Sequence, residues 1–198
     1  MAIPLLKDVP LAPSDDPGPY RREDYEALPD QPRCELIYGR FYVSPSPLLI
    51  HQIIVGLLYE RLLRISRTSG GRAFVAPLDV HLAKHSTVQP DVVYVSPSRM
   101  DILQSRIEGA PDLLIEVLSP GTARTDRGEK LRLYLEFEVR EYWIVDPLEK
   151  QIEFLRNEGG RFVVALPQGA EYRSAALPEI RLNLLDFWQD VAEQLPGA

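Results

Sequence analysis

Two acidic residues interrupt apolar segments that have the composition of buried strands. Glu116 lies within residues 113–118, and Asp91 lies within the β-branched run of residues 88–95. An ionised carboxylate in such a strand is costly unless a cation, a base or hydrogen-bond donors compensate its charge. These two acids therefore mark a place where the fold must supply a compensating group.

One divalent cation could be that group. If the two strands pair in the order in which they occur, both carboxylates converge, and they raise each other's pKa unless a cation lies between them. Mg²⁺ takes one or two protein carboxylates and keeps several waters. Lys130, on the helix after the second acid, could orient a water or stabilise charge that develops on a phosphate. A buried network of ion pairs has the same pattern, so the spacing alone leaves both interpretations open.

Other candidate residues have structural interpretations from position alone. Glu35 lies in a predicted strand and would be a solvated strand residue, and His51 lies in the first turn of a predicted helix and would be a half-buried structural histidine. His81 and His85 have the spacing of zinc ligands on a helix, but the local pattern is a strand followed by a turn. We therefore do not expect these two histidines to converge on a metal.

The apolar pattern predicts the strands that would position these residues. A hairpin is expected over residues 33–43 with its turn at Tyr38-Gly39, and a second hairpin over residues 151–155 and 161–166. Single strands are expected over residues 72–82, 88–95, 113–118 and 141–147. In the first of these, Pro77 indicates a bulge or an edge.

Helices are predicted where apolar residues recur at helical spacing. They are expected over residues 20–28, 48–67 and 126–137, with a last packed element over residues 180–194. Asp126 would cap the third helix, and Glu129 would complete a capping box. Together these elements predict a single α/β domain over residues 20–198, after a proline-rich arm over residues 1–19.

Length and composition are those of one globular domain, with 198 residues, 45% of them hydrophobic and 26% charged. The single cysteine, Cys34, excludes an internal disulfide framework and a cysteine-rich zinc site. The sequence has no secretory signal pattern and no long apolar span, which predicts a cytoplasmic protein without a membrane partner. Because the net charge is −7, nucleic acid would bind only through a local basic patch.

A series of short motifs runs through the domain in a fixed order. The motifs are Leu28-Pro29, Glu35-Leu36-Ile37-Tyr38-Gly39, Ser44-Pro45-Ser46-Pro47 followed by His51, Gln89-Pro90-Asp91, Ala110-Pro111-Asp112-Leu113, Glu116-Val117-Leu118-Ser119-Pro120, Lys130 with Tyr134, and Glu141-Tyr142-Trp143-Ile144-Val145-Asp146-Pro147. Among them, Pro90-Asp91 and then Glu116-Val117-Leu118 after an apolar run resemble the PD-(D/E)XK nuclease signature. More specifically, the motifs together, in this order and spacing, resemble the putative restriction endonuclease family that is expanded in cyanobacteria.

The resemblance implies a restriction endonuclease-like PD-(D/E)XK fold, in which helices flank a mixed β-sheet. It implies that Asp91 and Glu116 are ligands of Mg²⁺ or Mn²⁺, with the carbonyl of Val117 as a third ligand. It also makes Glu35 and His51 site residues rather than surface and core residues.

The lysine departs from the superfamily pattern, which places it two residues after the second acid. This sequence has Leu118 there. The resembling branch supplies the lysine from the following helix, which assigns the catalytic role to Lys130. Glu138-Val139, where the family usually has Gly-Val, affects a turn and not the chemistry.

The implied activity is metal-dependent hydrolysis of phosphodiester bonds in DNA. A homodimer is expected, because a nuclease that cuts both strands commonly works as a symmetric pair and cyclic dimers are the most frequent homo-oligomers. Six basic residues could contact the DNA backbone, although each is individually expected to be a solvated helix residue: Arg61, Arg64, Arg67, Arg124, Arg127 and Arg132. The alternative is a module with the nuclease fold and little or no activity that binds nucleic acid or protein. The net charge and the displaced lysine favour it, and the retained acids Glu35, Asp91 and Glu116 argue against it.

Overall fold

Two mixed β-sheets meet at the segment that leads into Asp91. The computed structural model describes residues 17–29 and 31–196. Residues 1–16 of the predicted proline-rich arm lie outside the described residues. One sheet has six strands and the other has five, and a short two-stranded ribbon packs near the C-terminal helix.

The strands, in chain order, are β1 Cys34–Ile37, β2 Arg40–Val43, β3 Arg72–Val75, β4 Val80–Ala83, β5 Ser86–Val88, β6 Val92–Val95, β7 Ile107–Glu108, β8 Leu113–Val117, β9 Glu141–Asp146, β10 Gln151–Asn157, β11 Phe162–Val164, β12 Glu171–Arg173 and β13 Arg181–Asn183. The helical elements are α1 Arg22–Glu26, α2 Leu49–Ser69, a 3₁₀ segment Pro97–Ile102, α3 Ala123–Thr125, a π-helical segment Asp126–Lys130, α4 Leu131–Glu136 and α5 Leu184–Glu193. The six-stranded sheet has the order β11-β10-β9-β8-β6-β3, and the five-stranded sheet has the order β2-β1-β5-β4-β7.

The central strand β8 lies between parallel β9 and antiparallel β6, and all five of its residues are buried. Successive side chains of a strand point to opposite faces. Ile115 accordingly joins a core beneath α2 and α5, whereas Leu114 joins a second core between the two sheets and α4. Glu116 lies on the Leu114 face, where it meets Tyr134 of α4.

Two predicted strands each prove to be two strands in different sheets. Residues 72–82 contain β3 and most of β4, and residues 88–95 contain the last residue of β5 and all of β6. Pro77 and Pro90 lie at the two breaks. Because proline has no N–H for the ladder, the chain leaves one sheet there and enters the other. Asp91 consequently lies just before β6 rather than inside a strand.

The third helix begins three residues before the predicted start at Asp126. Helical structure begins at Ala123, and Asp126 has φ −66° and ψ −40° at the junction between α3 and the π-helical segment. Asp126 is therefore inside the helical run and is not its N-cap, so the predicted capping box with Glu129 is wrong.

The other elements agree more closely with prediction. The first hairpin, the central strand and the second hairpin all form, and α2 packs on the six-stranded sheet as expected. The ribbon of β12 and β13 was not predicted. Within residues 17–29 and 31–196, none of the helices has the length and apolar composition needed to span a bilayer.

The turn of the first hairpin anchors the strand that carries Glu35. Tyr38 and Gly39 both have positive φ, 49° and 72°. The N–H of Gly39 donates to the carbonyl of His85, at 2.7 Å, and its carbonyl accepts from the N–H of Tyr20, at 3.2 Å. A Cβ on Gly39 would overlap the carbonyl oxygen of Gly18.

Gly39→Ala should lower the free energy of unfolding by about 1–3 kcal/mol, because it adds backbone strain and a main-chain clash. Gly56→Ala is the matched control. Gly56 lies in α2 with nothing near its missing Cβ, so this change should raise stability by about 0.5–1 kcal/mol. Urea unfolding followed by circular dichroism measures both, and equal effects of the two substitutions would contradict the role given to the turn.

Candidate active site

Asp91 and Glu116 face one cleft, as the pairing of their strands predicted. Val92 pairs with Ile115 across the antiparallel ladder of β6 and β8, which places each acid at the adjoining end of its strand. The N–H of Val117 donates to Oδ2 of Asp91, at 2.8 Å. Both carboxylates line a cleft of about 40 Å³ and are almost entirely buried, with exposures of 8% and 3%.

His51 belongs to this cleft and is not only a packing residue of α2. Its Nε2 lies 3.1 Å from Oδ2 of Asp91, so one oxygen of Asp91 interacts with both the imidazole and the N–H of Val117. Nδ1 of His51 is buried and has no hydrogen-bond partner among the described residues. The ring is thus fixed through one nitrogen only.

Glu35 is also buried, contrary to the solvated position suggested by its place in the sequence. Its exposure is 3%. Oε1 accepts a hydrogen bond of 2.6 Å from the N–H of Gln89, and Oε2 lies 2.9 Å from Nζ of Lys130. The first hairpin therefore delivers a third carboxylate to the site, next to the segment that leads into Asp91.

Lys130 occupies the middle of the acidic residues. Its Nζ donates to Oε1 of Glu116 at 2.8 Å, contacts Glu35, and lies 3.3 Å from Oδ1 of Asp126. The contact with Asp126 is an ion pair without hydrogen-bond geometry, because that oxygen has no hydrogen-bond partner among the described residues. The hydroxyl of Tyr134 donates to the same oxygen of Glu116, at 2.9 Å. The helix thus supplies a buried ammonium directly beside the second acid.

Asp126 is the site residue that sequence reasoning missed. It is 1% exposed and lies four residues before Lys130, which is itself four residues before Tyr134. This spacing places all three side chains on one face of a helical run. The spacing of four residues is visible in the sequence, but an aspartate near the start of a helix is equally typical of an N-cap. The π-helical segment Asp126–Lys130 holds the two charged residues, and such segments occur frequently at functional sites.

Four buried carboxylates face a single buried ammonium. Burial raises the pKa of Glu116 well above its usual range; Lys130 opposes this shift, and Asp126, Asp91 and Glu35 add to it. Burial likewise raises the pKa of Asp126. Burial alone would lower the pKa of Lys130, but the surrounding carboxylates outweigh it and the pKa is raised. The ammonium is therefore charged, and the acids exceed the positive charge available to them.

The residues present fit a hard divalent cation. Carboxylate oxygens are the ligands that Mg²⁺ and Mn²⁺ favour, and a site with excess negative charge attracts such an ion. In the part of the chain that the structure describes, no three His, Cys, Asp or Glu side chains surround one point as metal ligands. The ammonium of Lys130 lies between Glu35, Glu116 and Asp126 instead. An ion would therefore bind at Asp91, on the side of Glu116 away from Lys130.

Three of the predicted DNA-contacting arginines form ion pairs within the protein. Arg61 pairs with Asp190 of α5, Arg64 pairs with Glu60, and Arg127 pairs with Glu153 and with Asp146. Arg132 lies over the ring of Tyr38.

His81 and His85 each have a hydrogen-bond partner of their own. Nδ1 of His81 lies 2.8 Å from the hydroxyl of Thr87, and Nδ1 of His85 lies 2.9 Å from the carbonyl of Tyr20. The two rings therefore have separate partners.

Known proteins match both the sequence and the fold. The model of the Uma2 family, described as a putative restriction endonuclease, matches residues 22–185. The crystal structure of a putative nuclease from Anabaena variabilis superposes with a TM-score of 0.74 and is 22% identical, covering 87% of this chain and 99% of that chain. No protein with a curated description matches the chain. At this identity, the structural likeness establishes the fold.

The charge imbalance gives Glu116→Gln and Lys130→Met opposite effects on stability. The folded-state pKa of Glu116 is raised, so its stabilising contribution is present below the ordinary carboxyl pKa and is lost as the pH rises through the raised value. Glutamine does not titrate. Without metal, Glu116→Gln should therefore match wild type at acidic pH and gain up to about 2 kcal/mol relative to it at alkaline pH.

Lys130→Met leaves the acids without their ammonium and should cost about 3–5 kcal/mol at neutral pH, and less at acidic pH where the carboxyls protonate. Thermal and urea unfolding in EDTA across the pH range measures both variants. Strong destabilisation by Glu116→Gln at alkaline pH would instead identify Glu116 as an indispensable structural partner of Lys130.

Proposed function

The chain belongs to the Uma2 family of putative restriction endonucleases, and from this premise we propose that it hydrolyses phosphodiester bonds in DNA with the help of Mg²⁺ or Mn²⁺. Membership confirms the resemblance carried by the sequence motifs and supports a nuclease. The observation that carries the proposal is the convergence of Asp91 and Glu116 on one cleft with Glu35 and Lys130. This set combines ligands for a hard cation with a positive group beside them.

Asp91, Glu116 and the carbonyl of Val117 would hold the metal ion. When bound, the ion lowers the pKa of a coordinated water and stabilises negative charge on the phosphate. His51 fixes the orientation of Asp91 through its Nε2, and the N–H of Val117 fixes the same oxygen. These two contacts leave Asp91 preorganised before substrate arrives, which reduces the reorganisation that the reaction requires.

Lys130 would act on the substrate from the side of Glu116 opposite to the proposed metal ion. Its pKa is raised because three carboxylates surround it, so it stays an ammonium and serves as a charge or hydrogen-bond donor rather than as a base. A phosphate at the mouth of the cleft would attract this ammonium, which could position the attacking water and stabilise charge in the transition state. Glu35 and Asp126 set where the ammonium lies.

The second candidate is a module with the nuclease fold that binds nucleic acid or protein and cuts little or nothing. The observation that favours it is the network around Lys130, whose ammonium already contacts three carboxylates. A protein that had lost its metal could retain such a network as a structural feature. The two candidates differ in whether the wild type cuts nucleic acid in a reaction that depends on Asp91.

Wild-type protein should bind Mn²⁺ in calorimetry, and Asp91→Asn should abolish that binding because a ligand charge is lost. Nicking of supercoiled plasmid in Mg²⁺ or Mn²⁺ should fall by at least about a hundredfold in the same variant. Glu60→Gln is the control, since it removes an acid of α2 that pairs with Arg64 outside the cleft. Lys130→Arg keeps the charge but changes the shape of the donor, so it should retain Mn²⁺ affinity and cut more slowly.

Each result separates the candidates. Mn²⁺ binding that depends on Asp91, without cutting of any DNA or RNA, would favour the binding module. Absence of Mn²⁺ binding in the wild type would reject the metal-dependent reaction itself.

A homodimer is the assembly that we propose, since a nuclease that cuts both strands can place one site on each. In the six-stranded sheet, β11 is an edge strand, and exposed apolar side chains lie on it and just after it at Val164 and Leu166. Val164→Lys should then shift the protein toward monomer by placing like charges across the interface. Light scattering with and without DNA measures this, and a wild-type monomer under both conditions would contradict the proposal.

A further inference from the structure

A groove of about 700 Å³ adjoins the candidate active site. Arg33 and Gln89 line both this groove and the 40 Å³ cleft that contains Asp91 and Glu116. The other walls of the groove come from α1 and from the segment before β4, which contribute Tyr25 and Asp79 among other residues. The two spaces therefore meet at one pair of side chains.

The sizes of the two spaces indicate different occupants. The cleft can hold an ion and very few waters, since one water needs at least about 10–15 Å³ of such space. The nucleotides that flank a cleaved bond must then lie outside it. The groove falls within the range of roughly 300–1,000 Å³ that is typical of ligand sites. It is a contiguous space large enough to receive part of a strand.

Three guanidinium groups line the groove, although the chain as a whole is acidic. Arg22 makes two hydrogen bonds of 2.8 Å to Glu108, and Nε of Arg106 lies 3.0 Å from Asp79. Carboxylates therefore offset the charges of these two arginines. They form the walls of the groove and are poorly placed to attract an anion.

Arg33 differs because the partners that fix it are neutral. Its Nε donates to Oε1 of Gln89 at 2.6 Å, and a terminal nitrogen donates to the main-chain carbonyl of the same residue at 2.7 Å. Neither contact offsets the charge of the guanidinium. Its planar, multi-donor shape suits a phosphate, and the two contacts hold it in place beforehand.

Gln89 connects this arginine to the site. Its side-chain amide donates to the hydroxyl of Tyr25 and to Asp79, at 3.0 and 2.8 Å, and its main-chain N–H donates to Glu35. Asp91 follows two residues later. The contacts that orient Arg33 are therefore continuous with the one that holds Glu35, and the same segment leads into Asp91.

We propose that this groove binds the polynucleotide strand next to the cleaved phosphodiester bond, with Arg33 in contact with a backbone phosphate. The proposal rests on the proposed function, because it assigns a place to the substrate of that site. It also explains how an acidic protein with an acidic cleft holds a polyanion. The guanidinium of Arg33, which carries the positive charge, lies where the cleft opens into the groove.

The first test measures binding without cleavage. Fluorescence anisotropy with short labelled single strands and duplexes of DNA and of RNA, in EDTA and in Ca²⁺, gives affinity against salt concentration. Arg33→Gln should weaken binding and reduce the salt slope by about one, with little dependence on base sequence. Arg33→Lys should retain the slope, because the charge stays. Arg173→Gln, which removes a charge paired with Glu171 on β12, should bind as wild type does.

The second test uses the only cysteine of the chain, Cys34, which lines the groove. Burial raises the pKa of its thiol to about 11, so alkylation is followed at alkaline pH. The oligonucleotide that binds most tightly should slow alkylation of the wild type several-fold and should not slow it in Arg33→Gln. If that variant fails to fold, protection of Cys34 in the wild type decides the question.

An unchanged salt slope in folded Arg33→Gln, or unprotected Cys34 in a protein that binds the oligonucleotide, would overturn the groove proposal and leave the nuclease proposal standing. Protection of Cys34 that depends on Arg33, in a protein that cuts nothing, would support the groove and reject the nuclease activity. Failure of the wild type to bind any of the four nucleic acids would overturn the groove proposal.

Discussion

The site is governed by one electrostatic constraint, which is that four buried carboxylates lie close together and a single buried ammonium contacts three of them. Water cannot screen these charges, so each acid raises the cost of ionising the others. The imbalance must be relieved by protons or by a further cation. Burial raises the pKa of Glu116 and of Asp126, which favours proton uptake by these two acids. A bound divalent ion would neutralise the same excess of negative charge, and the acids would then release protons. Metal binding would therefore depend on pH.

The seam between the two sheets is what brings the acids together. The chain crosses from one sheet to the other at Gln89 and Pro90, and this crossing carries Asp91 to the end of β8. At the same crossing, the N–H of Gln89 donates to Glu35, which lies on β1 of the five-stranded sheet. A single short segment thus links both sheets, the acids and the groove. A continuous strand through residues 88–95 could not do this, because its N–H groups would be used in one ladder.

The sequence predicted that Asp91 and Glu116 converge, but it did not predict how the strands around them are divided between two sheets. Asp91 and Glu116 were detectable because a carboxylate in an apolar run requires compensation, whichever sheet the run joins. The first hairpin was predictable because its turn residues act locally. By contrast, the division of residues 72–82 between two sheets depends on long-range pairing that a local pattern does not contain. Asp126 was missed for a similar reason, since its role depends on where the helical run begins.

Glu141 shows that the protein has another way to bury an acid. It is fully buried on β9, next to the acid-bearing strand β8, yet its oxygens accept hydrogen bonds from Trp143, Tyr172 and Ser174. Neutral donors therefore suffice to hold an isolated carboxylate in this sheet. The concentration of three acids around Lys130, with Asp91 nearby, is costly by comparison and is not required to bury a carboxylate. The cation that we propose would account for such a cluster at a cleft, whereas folding alone does not require it.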